Sequence, residues 1–127
     1  MIKHDEFLEV AIKLIEDSPS NDSAFIRSSI SRAYYYIFHY AMEKLKKHPK
    51  ARFHLLKNKA CHHKYIIELL YELKQLDIAE RIGKFRRVRN DADYDLNRSF
   101  DKSEAERWIN HARWITANVS KRKEFEL

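Results

Sequence analysis

The sequence predicts an all-α protein, a compact antiparallel up-and-down bundle of about five helices, and three observations carry that expectation. One glycine and two prolines stand against 35% charged residues in 127, a composition that favours helices. Apolar residues recur at three- and four-residue spacing through most of the chain, as along one face of a helix. The breaks, Ser18-Pro19, His48-Pro49 and the polar stretch Asp93 to Phe100, divide the chain into segments of helical length. The length suits a single domain with a core of its own, and there is no internal repeat, linker or low-complexity segment apart from the charged tail KRKEFEL.

The first helix is expected over about residues 5–17, with Phe7, Val10, Ala11, Leu14 and Ile15 inward, and ends at Ser18-Pro19. SPSND then supplies caps for a long second helix, about 22–47, that starts at Asn21 or Asp22 and stops before Pro49. Its consecutive Tyr34, Tyr35 and Tyr36 point in three directions about 100° apart, so this helix is expected to be surrounded by neighbours or by a second subunit. Residues 49–61 form a basic connection. A third helix over about 62–76 turns Ile66, Leu69, Leu70 and Leu73 inward. The fourth, about 78–92, follows closely and contains Gly83, either a mild weakness or a point of close helix approach. Asp101 and Glu104 then read as a capping box for the fifth, about 102–119, with Ala105, Trp108, Ile109, Ala112, Ile115 and Val119 inward.

The net charge of +6 is unevenly distributed. Between Lys44 and Lys64 stand eight Lys or Arg, among them Lys57, Lys59 and Lys64, with four His and no Asp or Glu; the remainder is slightly acidic. Such a segment suits a surface that meets phosphate, or else a solubilising loop. The amino terminus is charged and amphipathic, unlike a signal peptide, and no apolar run is long enough to cross a bilayer, so the expected location is the cytoplasm, with no membrane partner. The single cysteine, Cys61, has no second thiol for a disulfide or a metal site. Asp91, Asp93 and Asp95 do not share one helix face, His62-His63 lacks zinc-ligand spacing, and one glycine cannot build a phosphate loop, so neither metal nor nucleotide cofactor is expected.

The segment RRVRNDADYD breaks the helical pattern in an informative way. Ile78, Ile82, Phe85, Arg89 and Ala92 fall on one face, which brings the Arg89 guanidinium onto the stripe that packs. A cation there must pair, with Asp93 one turn on, or open onto a cleft that binds an anion. Arg86 and Arg87 lie off that stripe and either extend a phosphate-binding rim or, for Arg87, pair with Asp91. Arg32 on the second helix either bridges to Asp93 or Asp95 or touches phosphate, and His39 reads as a hydrogen-bonded core histidine. His62 and His63 open the third helix, where its positive end and nearby lysines favour the neutral imidazole that a general base requires.

Four segments taken together, SRAYYYIFHYAMEKL, HHKYII, RVRNDADYD and SEAERWINHARW, resemble in that order the HEPN family of prokaryotic and eukaryotic helical domains, over roughly residues 5–120. The resemblance implies a bundle of four or five helices that dimerises. Many such members are metal-independent endoribonucleases of toxin–antitoxin pairs, phage defence and RNA processing. Arg89 and Asn90 match the family's Arg and the polar residue that often follows it, but after four intervening residues this chain has Tyr94 where the ribonucleases have His. It resembles the branch with Arg-x-x-Ala-Asp-Tyr. Metal-free RNA cleavage needs a base for the 2′-hydroxyl, an acid for the 5′-oxygen and a cation beside the phosphorane. Tyrosine, with a pKa near 10, is a poor base but can donate a proton or hydrogen bond.

The expected function is therefore that of a small prokaryotic HEPN-type RNA-directed protein, an endoribonuclease or its toxin or defence relative. Arg89, Asn90, Asp93 and Tyr94 form its centre, Arg86, Arg87, His62, His63, Lys64, Lys57 and Lys59 bind RNA, and Arg32, His39 and Tyr36 support them. The alternative is a non-catalytic binding or dimerisation module, such as the accessory partner of a nucleotidyltransferase antitoxin. In that setting Tyr94, beside Arg89 in sequence, is a candidate acceptor for nucleotide transfer. The homodimer is expected to line one basic groove with both copies of the Arg89 region.

Overall fold

In a computed structural model describing residues 3–21 and 23–125, all regular structure is helical. Five α-helices, α1 (His4–Glu16), α2 (Ala24–Leu45), α3 (Cys61–Glu72), α4 (Leu76–Tyr94) and α5 (Lys102–Lys121), form one bundle, with single 3₁₀ turns at Phe53–Leu55 and Lys123–Phe125. No helix among the described residues is long and apolar enough to cross a membrane.

The bundle is built around α2, which packs against the other four helices. Ile26, Ile30, Ala33, Ile37, Ala41 and Leu45 are buried along it. The three tyrosines diverge as their spacing requires. Tyr34 faces α3 and α4, with His63 and Phe85 beside it; Tyr35 turns towards Phe7 of α1; the Tyr36 hydroxyl donates to Thr116 Oγ1 of α5 at 3.3 Å. Small residues let α1 and α2 approach closely, and the buried Ser29 hydroxyl donates to the Ala11 carbonyl at 2.7 Å. The inward faces of α3 and α5 are as the periodicity predicts. That of α1 is rotated: Leu8 and Ile12 pack with Phe7, Ala11 and Ile15, while Val10 is exposed, because α1 meets α2 chiefly on one side.

Local chemistry sets the helix ends. Ser23 caps α2 by accepting from Ile26 N–H, so the helix does not start at Asn21; Asp22, the other expected start, lies outside the described residues. Helix α3 stops at Glu72, four residues before its expected end. Lys74 takes a left-handed conformation (φ 63°), Gln75 N–H donates to the Leu70 carbonyl and Lys74 N–H to that of Tyr71, the paired bonds of a Schellman turn. A glycine normally marks such a turn, and without one the sequence hides the boundary. The α5 cap forms as expected through Asp101 Oδ1 and Glu104 N–H at 2.8 Å, but the Glu104 carboxylate pairs with Arg98 instead of reaching back. Phe125 of the charged tail is buried in the core.

The expected tie from Arg32 to Asp93 or Asp95 is absent. Arg32 is exposed, and Arg27, a turn earlier, holds the end of α4 instead. Its guanidinium donates to the carbonyls of Asp91, Ala92 and Asp95 at 3.4, 3.2 and 2.9 Å and to that of Arg98, gathering carbonyls of the last turn of α4 and of the segment that follows it, where that of Ala92 has no acceptor role within the helix. Asp91 pairs with Arg98 at 2.6 Å, so the Arg87–Asp91 pair does not form. Arg27→Ala is expected to destabilise the fold by about 1–3 kcal/mol, and Arg32→Ala by no more than about 0.5 kcal/mol. Urea unfolding of the two variants checks this, and equal effects would reject Arg27 as the tie.

Candidate functional site

Arg89 is 8% exposed, on the apolar face of α4 between Ile82, Phe85 and Ala92. Its guanidinium lies over two tyrosine rings of α2, 4.9 Å from the centre of Tyr34 and 5.5 Å from that of Tyr35. Asp93, one turn on, reaches Nη1 at a loose 3.7 Å and also accepts from the Ser31 hydroxyl at 3.2 Å. Nε of Arg89 is buried without a hydrogen-bond partner. Arg89 thus has a diffuse aromatic partner and one distant carboxylate, a weaker neutralisation than a bidentate ion pair would supply.

His63, at the start of α3, adjoins this group. Its Nδ1 is 2.6 Å from the Tyr34 hydroxyl, and its ring stacks on Phe38 with centroids 3.8 Å apart. Burial, then the positive charges of Arg89 and Arg86, hold His63 at a pKa of about 4. The imidazole is therefore neutral near pH 7, as expected, with burial as the leading cause instead of the helix end or the lysines. Burial also raises Tyr34 to about 12, against the lowering pull of Arg89, so its hydroxyl keeps its proton. Nε2 of His63 has no partner among the described residues. Three helices thus converge: Ser31, Tyr34 and Tyr35 from α2, His63 from α3, Arg89 and Asp93 from α4.

The other sequence candidates disperse. Tyr94 ends α4 at 77% exposure and shares no contact with Arg89, because five residues along a helix separate two side chains by about 140°. Asn90 is exposed and lines a cleft of about 340 Å³ between α3 and α4 with Arg86, Arg87 and Lys84. Lys57 and Lys59 are exposed in the basic connection, Lys64 pairs loosely with Glu68 at 3.7 Å, and His62 packs edge-on against Phe53. Tyr36 belongs to the α2–α5 core. His39 is half-buried and stacked on Phe7 at 5.3 Å, held by rings where a hydrogen bond was expected; burial, then His4, lowers its pKa. Among the described residues no three His, Cys, Asp or Glu are grouped to hold a metal ion.

No protein-family model, curated protein or solved structure matches the chain. The resemblance to HEPN domains rests on the sequence segments that carry it. Tyr34 and Tyr35 were visible as part of the tyrosine run, but only the packing distinguishes them from Tyr36. The signal was there in principle: an arginine on the apolar face of one helix needs aromatic or acidic company from the neighbouring one.

The pH response of His63 follows with a definite sign. Its folded-state pKa, about 4, lies below the unfolded value of about 6.5, so on acidification the unfolded chain takes up the proton first. The stability contributed by the neutral ring is complete above pH 6.5 and is lost as the pH falls towards 4. His63→Phe, which keeps the stacking, is expected to lose less stability between pH 7 and pH 4.5 than the parent in urea unfolding. An imidazole that titrates near 6.5 by NMR would reject the burial assigned to it.

Proposed function

We propose that the protein is a HEPN-type RNA-directed domain, a metal-independent endoribonuclease of the toxin or defence kind, in which His63 takes the part of the histidine missing from the motif. The observation that carries this reading is the contact of a buried, incompletely paired Arg89 with the Tyr34–His63 pair. Arg89 supplies the cation for a phosphodiester. With Nδ1–H donating to the Tyr34 oxygen, His63 presents the Nε2 lone pair to the 2′-hydroxyl.

Nε2 takes the 2′-hydroxyl proton, the 2′-oxygen bonds to phosphorus, the bond to the 5′-oxygen breaks, and protonated His63 returns the proton to that oxygen. A 2′,3′-cyclic phosphate and a 5′-hydroxyl result. A pKa of about 4 makes a weak base, but part of the depression comes from Arg89 and Arg86, whose charge a bound phosphate offsets. Binding would thus move His63 back towards the range in which it transfers protons. Homodimerisation belongs to the same proposal, with the exposed Arg32 of α2 available to face a second copy.

A second reading, a non-catalytic module paired with a nucleotidyltransferase, is favoured by the exposure of Tyr94 apart from Arg89 and by the enclosure of Arg89 itself. Labelled mixed-sequence RNA incubated in EDTA separates the two. Cleavage to cyclic-phosphate ends, lowered at least about 100-fold by Arg89→Ala and by His63→Ala, is expected of the ribonuclease. An intact substrate with a folded protein would overturn it and leave the binding module, for which intact mass after co-expression with a nucleotidyltransferase reads any adduct on Tyr94.

A further inference from the structure

The cleft between α3 and α4 adjoins the Arg89 cluster through Arg86, whose charge reaches His63 and Tyr34, but none of that cluster's own side chains lines it. Its walls are Ile67 and Tyr71 of α3 and Glu80, Lys84, Arg87 and Asn90 of α4, and its floor is Ala79 and Gly83. Lys84, Arg86 and Arg87 make no ion pair or hydrogen bond with any described residue, and Glu80 is the single carboxylate at the rim. Three unpaired cations beside an apolar wall with a half-exposed tyrosine ring are an anion site with a stacking surface.

Gly83 gives an independent pointer. It is the only glycine in the chain and lies in the middle of a helix, where glycine is disfavoured relative to alanine. Of the two sequence readings of Gly83, the close helix approach does not occur. A Cβ built on Gly83 would meet only the Arg87 Nη1 atom, at 3.9 Å, so no packing within the fold requires the missing side chain. What the glycine leaves is open backbone on the floor of the cleft, which lets a flat ligand approach the helix closely.

We infer that the α3–α4 cleft binds one nucleotide unit, its base against Tyr71 and Ile67 over the Gly83 floor and its phosphate on Arg87, Arg86 and Lys84. The volume of about 340 Å³ lies at the small end of ligand pockets, about 300–1,000 Å³, and suits one nucleotide. The Asn90 amide at the rim offers both a donor and an acceptor to a base edge. Arg86 lies three residues before Arg89 on α4, so a strand whose phosphodiester meets Arg89 would lay a neighbouring nucleotide here. This last step rests on the RNA reading above. The cleft itself does not, since a free nucleotide carries the same base and phosphate.

Three probes at fixed salt test the inference by NMR amide shifts and titration: adenosine 5′-monophosphate, a hexameric oligoadenylate and inorganic phosphate. The expected result is binding of the hexamer with shifts at Ile67, Tyr71, Gly83 and Asn90, weakened at least about tenfold by Gly83→Gln, which fills the floor with a helix-favouring uncharged side chain, and several-fold by Tyr71→Ala. Each variant is first shown to unfold at a temperature no lower than the parent's by more than a few degrees, and Tyr71→Ala serves alone if Gly83→Gln does not. Tighter binding of the monophosphate than of the hexamer would keep the nucleotide site and make its ligand a free nucleotide. Shifts confined to Lys57 and Lys59, phosphate competing as well as the monophosphate, or full affinity in folded variants would each overturn it. Failure of RNA cleavage with cleft shifts intact would remove the ribonuclease and leave this site standing.

Discussion

Burying the charge of Arg89 is the constraint on which the centre of this bundle depends. An arginine on the packing face of α4 cannot be sealed under aliphatic side chains, because an unpaired buried cation costs several kcal/mol. The Tyr34 and Tyr35 rings accept it at about 5 Å, Asp93 supplies a partial counter-charge, and Ser31 steadies that carboxylate. Cation–π contacts of this kind contribute roughly 0.5–2 kcal/mol each, so they offset much of the penalty while leaving Nε without a partner. A tighter ion pair would stabilise the charge further and make it less available to an anion.

The same packing governs His63. Stacked on Phe38 and bonded to Tyr34, it is buried, and a proton there would lose solvation and add a second positive charge near Arg89, so in the free protein it stays neutral. Cation, neutral imidazole and protonated phenol are held together by contributions from three helices. The junction of α2 with α3 and α4 is thus at once a load on stability and the most chemically endowed part of the molecule. Arg27, on the same helix as the tyrosines, secures the far end of α4 by binding carbonyls of its last turn and of the segment after it, which keeps Asp93 in register with Ser31.

Positive charge is used in two ways. The basic residues between Lys44 and Lys64 are mostly exposed, many of them in an irregular connection, where salt screens them. Lys84, Arg86 and Arg87 are fewer, but they border a cleft with apolar walls, and a lower local dielectric strengthens each interaction made there. The density of basic residues along the sequence therefore points to a different surface from the one that the fold shapes.

By itself the sequence determined the helical class, the five segments, the inward faces of α3, α4 and α5, and the place of Arg89 on the packing face of α4, because periodicity and the cost of breaking a helix are local properties; that Arg89 is buried there came from the packing. It also determined that Tyr34, Tyr35 and Tyr36 would meet three different neighbours. Which neighbours, only the tertiary structure decided, since that depends on how helices distant in sequence are turned about their axes. The expectation therefore held Tyr36 and Arg32 where the packing uses Tyr34 and Arg27, and grouped Tyr94 with Arg89, although the helix turns them apart. The Schellman turn at Lys74 was hidden because hydrogen bonds with Leu70 and Tyr71 sustain a left-handed residue without the glycine that would announce it. That turn sends α4 back along α3, and the cleft over Gly83 exists only once the two helices lie side by side.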